Sequence, residues 1–197
     1  MIVGDPAHSS DTALETMNRP QFIPTAAVAL SLFAQAAQAQ EPLETIRNFQ
    51  VVSDELASSG QIGYDQIPLL RAEGYKVVIN LAIADEARNG QEGFLVAQSG
   101  LTYVHIPVDW EHPQLGDVEM FFDVMQANEG RKVYVHCFAN MRASAFVYMY
   151  RTLVEGVSEA EARGTMNEVW DPNELAQWGG LIERAQAEWG EGRHPTP

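Results

Sequence analysis

The sequence predicts an α/β fold, a three-layer sandwich with a mainly parallel central sheet, and three observations carry that expectation. Short apolar runs at residues 76–81, 101–108 and 132–136 alternate with helix-length amphipathic segments. The runs are apolar almost throughout, as strands buried on both faces are. Gly74, Gly100, Gly130 and Gly156 each stand where a helix would end, supplying the cap that lets the chain turn back.

Composition bounds the partners. With 197 residues, 46% hydrophobic and 20% charged, the chain has the proportions of one folded domain. A net charge of −15 excludes nucleic acid and anionic membrane as partners, because both require clustered Lys and Arg. Any anion site must therefore be local, built from backbone amides and one or two arginines.

The first forty residues read as an export signal that starts at Met17. Arg19 gives a weakly positive start, residues 22–37 are apolar, and Ala37-Gln38-Ala39 matches a small-x-small cleavage site before Gln40. Residues 1–16 read as an upstream mis-start. The apolar run is broken by Pro24, Gln35 and Gln38 and is too short to span a membrane, so residues 40–197 are expected as a single periplasmic or secreted domain with no membrane insertion.

After a polar lead-in at 41–47, residues 48–52 alternate like a strand and run into a turn-rich stretch ending at Ser-Ser-Gly-Gln. Residues 64–73 carry Ile67, Leu69 and Leu70 at helical spacing, and the run at 76–81 completes a strand–helix–strand unit. A loop at 84–90 precedes a short helix at 91–98. The strand at 101–108 ends its pairing near Pro107. A polar and aromatic loop at 109–117 follows, then a helix at 118–128 with Met120, Phe121, Val124 and Met125 inward. Beyond the strand at 132–136 come three helices. The first, near 143–154, is apolar enough to be buried; Ser158 with Glu161, and Asp171 with Glu174, are capping boxes for the other two. Trp170, Trp178 and Trp189 serve as packing anchors.

The strand at 132–136 runs into His136 and Cys137, a short loop, Arg142, and a helix opened by Ser144. A helix N-terminus offers unpaired N–H groups that bind anions and stabilise a nearby thiolate. Cys137 is the only cysteine, so it has no disulfide partner within the chain. Ligands of parallel sheets sit beyond the carboxyl ends of the strands, and both the Cys137 loop and the loop that begins at Asp109 leave from such ends. With no second cysteine and no close His pair, a metal site has little support.

Residues 136–144, His-Cys-Phe-Ala-Asn-Met-Arg-Ala-Ser, resemble the signature of the cysteine-dependent protein tyrosine and dual-specificity phosphatases. Stretches 51–53, 59–61, 78–81 and 103–108 resemble the same superfamily, especially its small bacterial members and the phosphatase-like domain of beta-lactamase-hydrolase-like proteins. The resemblance implies a dual-specificity-phosphatase-like fold acting on a small oxyanion or phosphorylated substrate without a cofactor. It implies Cys137 as nucleophile and an anion cradle formed by Phe138, Ala139, Asn140, Met141, Arg142 and Ala143. Arg142 would clamp the anion, Ser144 would donate to the departing sulfur, and Asp109 would be the acid and base. Glu111, His112 and Asp117 are alternative acids. His136 reads as structural, fixing the loop, and His105 as a core or surface residue.

The family pattern places five residues between Cys and Arg, whereas four intervene here. Either the loop is one residue shorter and Arg142 still points inward, or the length is kept, Asn140 takes the usual Gly position and Ala143 replaces the arginine. A four-residue loop also resembles the rhodanese-type sulfurtransferases, whose cysteine carries a persulfide. A non-catalytic anion-binding domain is the third reading.

Overall fold

The computed structural model describes residues 41–190, so the signal segment expected upstream of Gln40 lies outside the described residues. The chain divides into Met1–Ala37 and Gln38–Pro197, and every described residue belongs to the second unit. Its elements, in order, are β1 (Gln50–Ser53), β2 (Leu56–Ser59), α1 (Ile67–Ala72), β3 (Val77–Asn80), α2 (Glu92–Gln98), β4 (Thr102–His105), α3 (Leu115–Ala127), β5 (Val133–His136), α4 (Met141–Leu153), α5 (Glu159–Asn167) and α6 (Ala176–Trp189).

The sheet order is β1-β2-β5-β3-β4, with β1 antiparallel to β2 and every other pairing parallel. Side chains alternate between two apolar layers, as the pleat demands. Leu56, Val77, Ile79, Val133 and Val135 face the core shared with α3, α4 and α6. Ala57, Val78 and Tyr134 face the smaller core with α1 and α2. These are the three layers expected from the alternating pattern. Among the described residues no helix is long and apolar enough to cross a membrane.

Helix α4 is buried without a break from Arg142 to Arg151, which places it at the centre of the larger layer. It begins at Met141, two residues before the expected start. Arg142 therefore belongs to the first helical turn, where its position is fixed by backbone hydrogen bonding rather than by loop flexibility.

Four local expectations are corrected. Leu56–Ser59 is a fully buried strand, not turn chemistry; its serines are satisfied inside, Ser59 Oγ accepting from Tyr134 Oη at 2.8 Å and Ser58 Oγ from Asn140 at 3.1 Å. Polar strand residues of this kind lack the apolar signal on which the sequence reading depended. The lead-in forms a 3₁₀ turn at Leu43–Thr45 whose Leu43, with Ile46, caps the smaller core. On α3 the buried stripe is Val118, Phe121, Phe122 and Met125, which leaves Met120 on the outer side at 52% exposure. Asp171 caps a 3₁₀ turn at Pro172–Glu174, and α6 begins afterwards at Ala176 without a side-chain cap. Of the capping box expected at Ser158, the serine half forms, accepting from the Glu161 amide, while the Glu161 carboxylate accepts from Arg151 Nη2 at 2.8 Å instead.

Candidate active site

Three parallel strands end side by side. Ser59, His136 and Asn80 are in register at the carboxyl ends of β2, β5 and β3. Cys137 is the next residue of the central strand, its N–H donating to Ser59 O at 3.2 Å, while Leu81 N–H donates to His136 O at 2.8 Å. The cysteine is 1% exposed. Its neighbours approach closely: a Cβ on Gly60 would lie 2.9 Å from Arg47 O and 3.2 Å from Phe138 O, so this position requires glycine.

The loop from Cys137 to α4 turns at Asn140, which adopts a left-handed conformation with φ 65°. Few residues without glycine's freedom occupy that region, and asparagine is one of them. Asn140 Nδ2 donates to Asn48 O at 2.6 Å, and Asn48 Nδ2 donates to Ala139 O at 2.9 Å. Asn48 is itself left-handed, at φ 52°. The two asparagines clamp the loop against the lead into β1.

Arg142 points inward. Its Nε–H donates to Val108 O at 3.0 Å, tying the first turn of α4 to the residue before Asp109. Burial lowers the guanidinium below its ordinary value, while the Cys137 thiol and the Asp109 carboxylate act in the opposite direction. Of the two sequence alignments, this geometry fits the shorter loop with Arg142 retained as the inward cation. Asn140 nonetheless takes the left-handed turn that the other alignment assigned to it.

Asp109 lies on the neighbouring loop and is 63% exposed at its side chain. Its Oδ1 accepts from Glu111 N at 2.8 Å and His112 N at 2.9 Å. Those amides, His112 first, hold its carboxyl below the usual carboxylate value. Asp117, one of the alternative acids, is committed to the start of α3, where it accepts from Gln114 N at 3.1 Å. Glu111 and His112 are exposed on the same loop as Asp109.

Ser144 sits on the other side of α4's first turn. Its hydroxyl donates to Met141 O at 3.2 Å, and its side chain lines a small cavity with Ser58, Tyr148 and Thr165. No hydrogen bond joins it to Cys137 among the described residues. Phe138, Ala139, Met141 and Ala143 complete the loop and first turn, where helix geometry leaves the leading N–H groups without intrahelical acceptors.

Two supporting groups were legible only in part, His136 as a structural residue and Trp170 and Trp178 as packing anchors, without the partners that the fold brings to them. Behind the loop, His136 Nε2 contacts Glu92 Oε1 at 2.7 Å with both side chains fully buried. Glu92 also accepts from Gln61 Nε2 at 2.6 Å and Asn80 Nδ2 at 3.2 Å. Burial pushes this carboxyl up, but the hydrogen bond and charge of His136 and the bond from Gln61 outweigh it and hold the group below its ordinary value. Beside the loop, Trp110 packs against Trp170 and Trp178, at centroid distances of 5.4 and 5.1 Å, and those two rings also meet each other at 5.7 Å. Trp170 Nε1 donates to Met141 O at 2.9 Å and Trp178 Nε1 to Trp110 O at 3.0 Å. The aromatic anchors therefore fix both site loops, a role that spacing alone does not reveal. A glutamate on the apolar side of α2, four residues before buried Val96, was the one sequence signal for the acid of the first group.

A family model described as the DSP-PTPase phosphatase fused to NAD+ kinase matches residues 35–178. The chain belongs to this family, within the cysteine-dependent tyrosine and dual-specificity phosphatases. Among solved structures, the DUF442 protein of Shewanella putrefaciens CN-32, whose name places it among phosphatases, is 39% identical with a TM-score of 0.67, over 75% of this chain and 94% of its own. P. aeruginosa TpbA shares the fold at 21% identity and a TM-score of 0.59, over 78% of this chain and 94% of its own. The core catalytic domain of the S. cerevisiae PP-IP phosphatase SIW14 shares it at 13% identity and a TM-score of 0.60, over 74% and 90%. No curated protein sequence matches the chain. Four residues separate Cys137 from Arg142, within the span that the family model matches. Among the described residues no three His, Cys, Asp or Glu side chains are grouped to hold a metal ion.

Proposed function

We propose that the chain hydrolyses phosphate monoesters through a thiophosphoryl intermediate on Cys137. The Cys137 thiolate attacks phosphorus, and the bond from phosphorus to the ester oxygen breaks. Asp109 delivers a proton to the departing oxygen. Water then attacks the phosphorus, Asp109 takes its proton, and the P–S bond breaks to release phosphate and the thiolate. Arg142 and the amides of the loop and the first turn of α4, from Phe138 to Ala143, hold the equatorial oxygens in both steps. Ser144 would donate to the departing sulfur by turning its hydroxyl away from Met141 O, to which it donates at 3.2 Å.

The observation that supports the reading is the Arg142 Nε bond to Val108 O, which ties the first turn of α4 to the residue before Asp109 while Cys137 and Asp109 both lie close enough to act on the Arg142 guanidinium. One feature favours sulfur transfer instead: only four residues separate Cys137 from Arg142, and a persulfide needs a smaller cradle than a tetrahedral phosphate. Release of phosphate from para-nitrophenyl phosphate, compared between wild type and Cys137→Ser, tests the proposal. Release is expected from the wild type alone. Thiosulfate-to-cyanide sulfur transfer with no Cys137-dependent phosphate release overturns it. We further propose that the domain works outside the cytoplasm; an exported product whose N-terminus is Gln40 is the expected result, and retention of residues 17–39 the contrary one.

A further inference from the structure

A second arginine stands beside the first. Arg88 lies on the loop between β3 and α2, and its guanidinium carbon is 3.8 Å from the centroid of the Phe138 ring, the residue that follows the nucleophile. The Arg142 guanidinium carbon is 6.0 Å from the same centroid, so the two cations lie less than about 10 Å apart. Arg88 is close enough to lower the Arg142 guanidinium by charge repulsion. In a chain of net charge −15 this pairing of like charges at one loop runs against the average.

Both arginines are held in the same way. Arg142 is fixed through Nε by Val108 O, and Arg88 through Nε by Asp85 Oδ2 at 2.9 Å. No carbonyl or carboxylate among the described residues engages the Nη groups of either one, and the one further partner of the Arg142 guanidinium is the Cys137 sulfur itself. The anchored edge sets each fork's orientation, and the free edge is the one suited to bidentate contact with an oxyanion. The turn beneath Arg88 is itself built. Asp85 Oδ1 accepts from Ala87 N and Arg88 N, both at 3.0 Å, and buried Asn89 reaches back to Asp85 N at 2.8 Å and to Ile83 O at 3.0 Å. Arg88 remains 55% exposed at its side chain, so a ligand can reach it.

We propose that Arg88 binds a second phosphate of the substrate, so that the preferred substrates are small molecules bearing two neighbouring phosphates rather than one. The inference rests on the phosphatase reading for the chemistry at Cys137, but the subsite is a binding site and is tested as one. The Asp85 carboxylate limits it: it offsets part of the Arg88 charge and disfavours a second anion placed on its side of the guanidinium. An isolated phosphate gains nothing from Arg88, whereas a ligand spanning both forks gains charge-assisted hydrogen bonds.

Calorimetric titration with inorganic pyrophosphate and with orthophosphate tests this, every protein compared, the one wild-type at Arg88 included, carrying Cys137→Ser so that pyrophosphate is not turned over. The wild type is expected to bind pyrophosphate about tenfold more tightly than orthophosphate, and Arg88→Ala to bring that ratio within about twofold. Arg88→Lys, which keeps charge and loses the fork, should fall between. Arg131→Ala removes a cation elsewhere on the surface and should keep the wild-type ratio. Equal affinities in the wild type, a ratio that survives Arg88→Ala, or an equal collapse in Arg131→Ala each overturns the proposal. A preserved pyrophosphate preference, where the protein with Cys137 intact releases no phosphate, supports the subsite and defeats the hydrolytic reading alone.

Discussion

Glu92 Oε1 and His136 Nε2 lie 2.7 Å apart with no solvent reaching either side chain, directly beneath the residue that begins the Cys137 loop. Glu92→Ala removes the acceptor for His136, Gln61 and Asn80 at once and leaves the buried His136 Nε2 without a partner, while Gln61 Nε2 keeps Ile62 O and Asn80 Nδ2 keeps Tyr103 Oη. The expected cost is about 3–5 kcal/mol, read as a lower denaturant midpoint at unchanged slope. Because the folded carboxyl is held below its ordinary value, its stabilisation is complete above the unfolded value of about 4.3 and is lost as pH falls through the folded one. Wild type should therefore lose stability in acid more steeply than Glu92→Gln. Superimposable acid curves would remove the pair from the account.

Asp109 is the second prediction, and its sign follows from its own loop. The amides of His112 and Glu111 favour the ionised carboxylate, so the protonated acid is populated only at low pH. Turnover of a substrate with a poor leaving group should fall as pH rises above that lowered value. Asp109→Asn keeps the Oδ1 acceptor and hence the loop, yet should cut kcat about a hundredfold and flatten this limb. A pH–rate profile identical to wild type would transfer the acid role to Glu111 or His112.

The parallel sheet, the buried α4 and the loop that joins β5 to it were legible in the sequence because apolar runs, glycine stops and the His136 to Arg142 order each report locally. Residues whose meaning depends on a distant partner were not. Ser58 and Ser59 look like turn residues until Asn140 and Tyr134 are brought to them across the sheet. Glu92 looks like an ordinary first-turn acid until α2 packs over β3 and β5. Arg142 pointed inward in one of two alignments, and its bond to Val108 O, thirty-four residues earlier in the chain, is what selects it. The tryptophans were recognised as anchors, but not that two of them donate to the carbonyls of the site loops.

Trp178 tests that last link. Its ring is fully buried, packs on Trp110, and donates to Trp110 O at 3.0 Å. Trp178→Phe keeps an aromatic ring but leaves a cavity and an unpaired carbonyl, at an expected cost of about 2–3 kcal/mol in unfolding free energy. Since Trp110 follows Asp109, the loss should reach the acid step. At a temperature where the variant is fully folded, kcat should fall several-fold on a poor leaving group and much less on para-nitrophenyl phosphate, which departs without proton donation. An equal fall on both substrates would mean that the ring supports the nucleophile loop instead.

Asn140 separates backbone strain from hydrogen bonding. At φ 65° it occupies a region that costs a Cβ-bearing residue other than asparagine or aspartate roughly 1–2 kcal/mol. Its side chain also donates to Asn48 O and Ser58 Oγ. Asn140→Gly loses the two bonds and relaxes the backbone, whereas Asn140→Ala loses the same two bonds and keeps the strain. Both should destabilise, the alanine variant by about 1 kcal/mol more, and phosphate affinity measured on the folded proteins should fall in the same order because the cradle amides follow this turn. If alanine and glycine proved equally stable, the left-handed turn would carry no strain, and the asparagine would be there for its bonds to Asn48 and Ser58 alone.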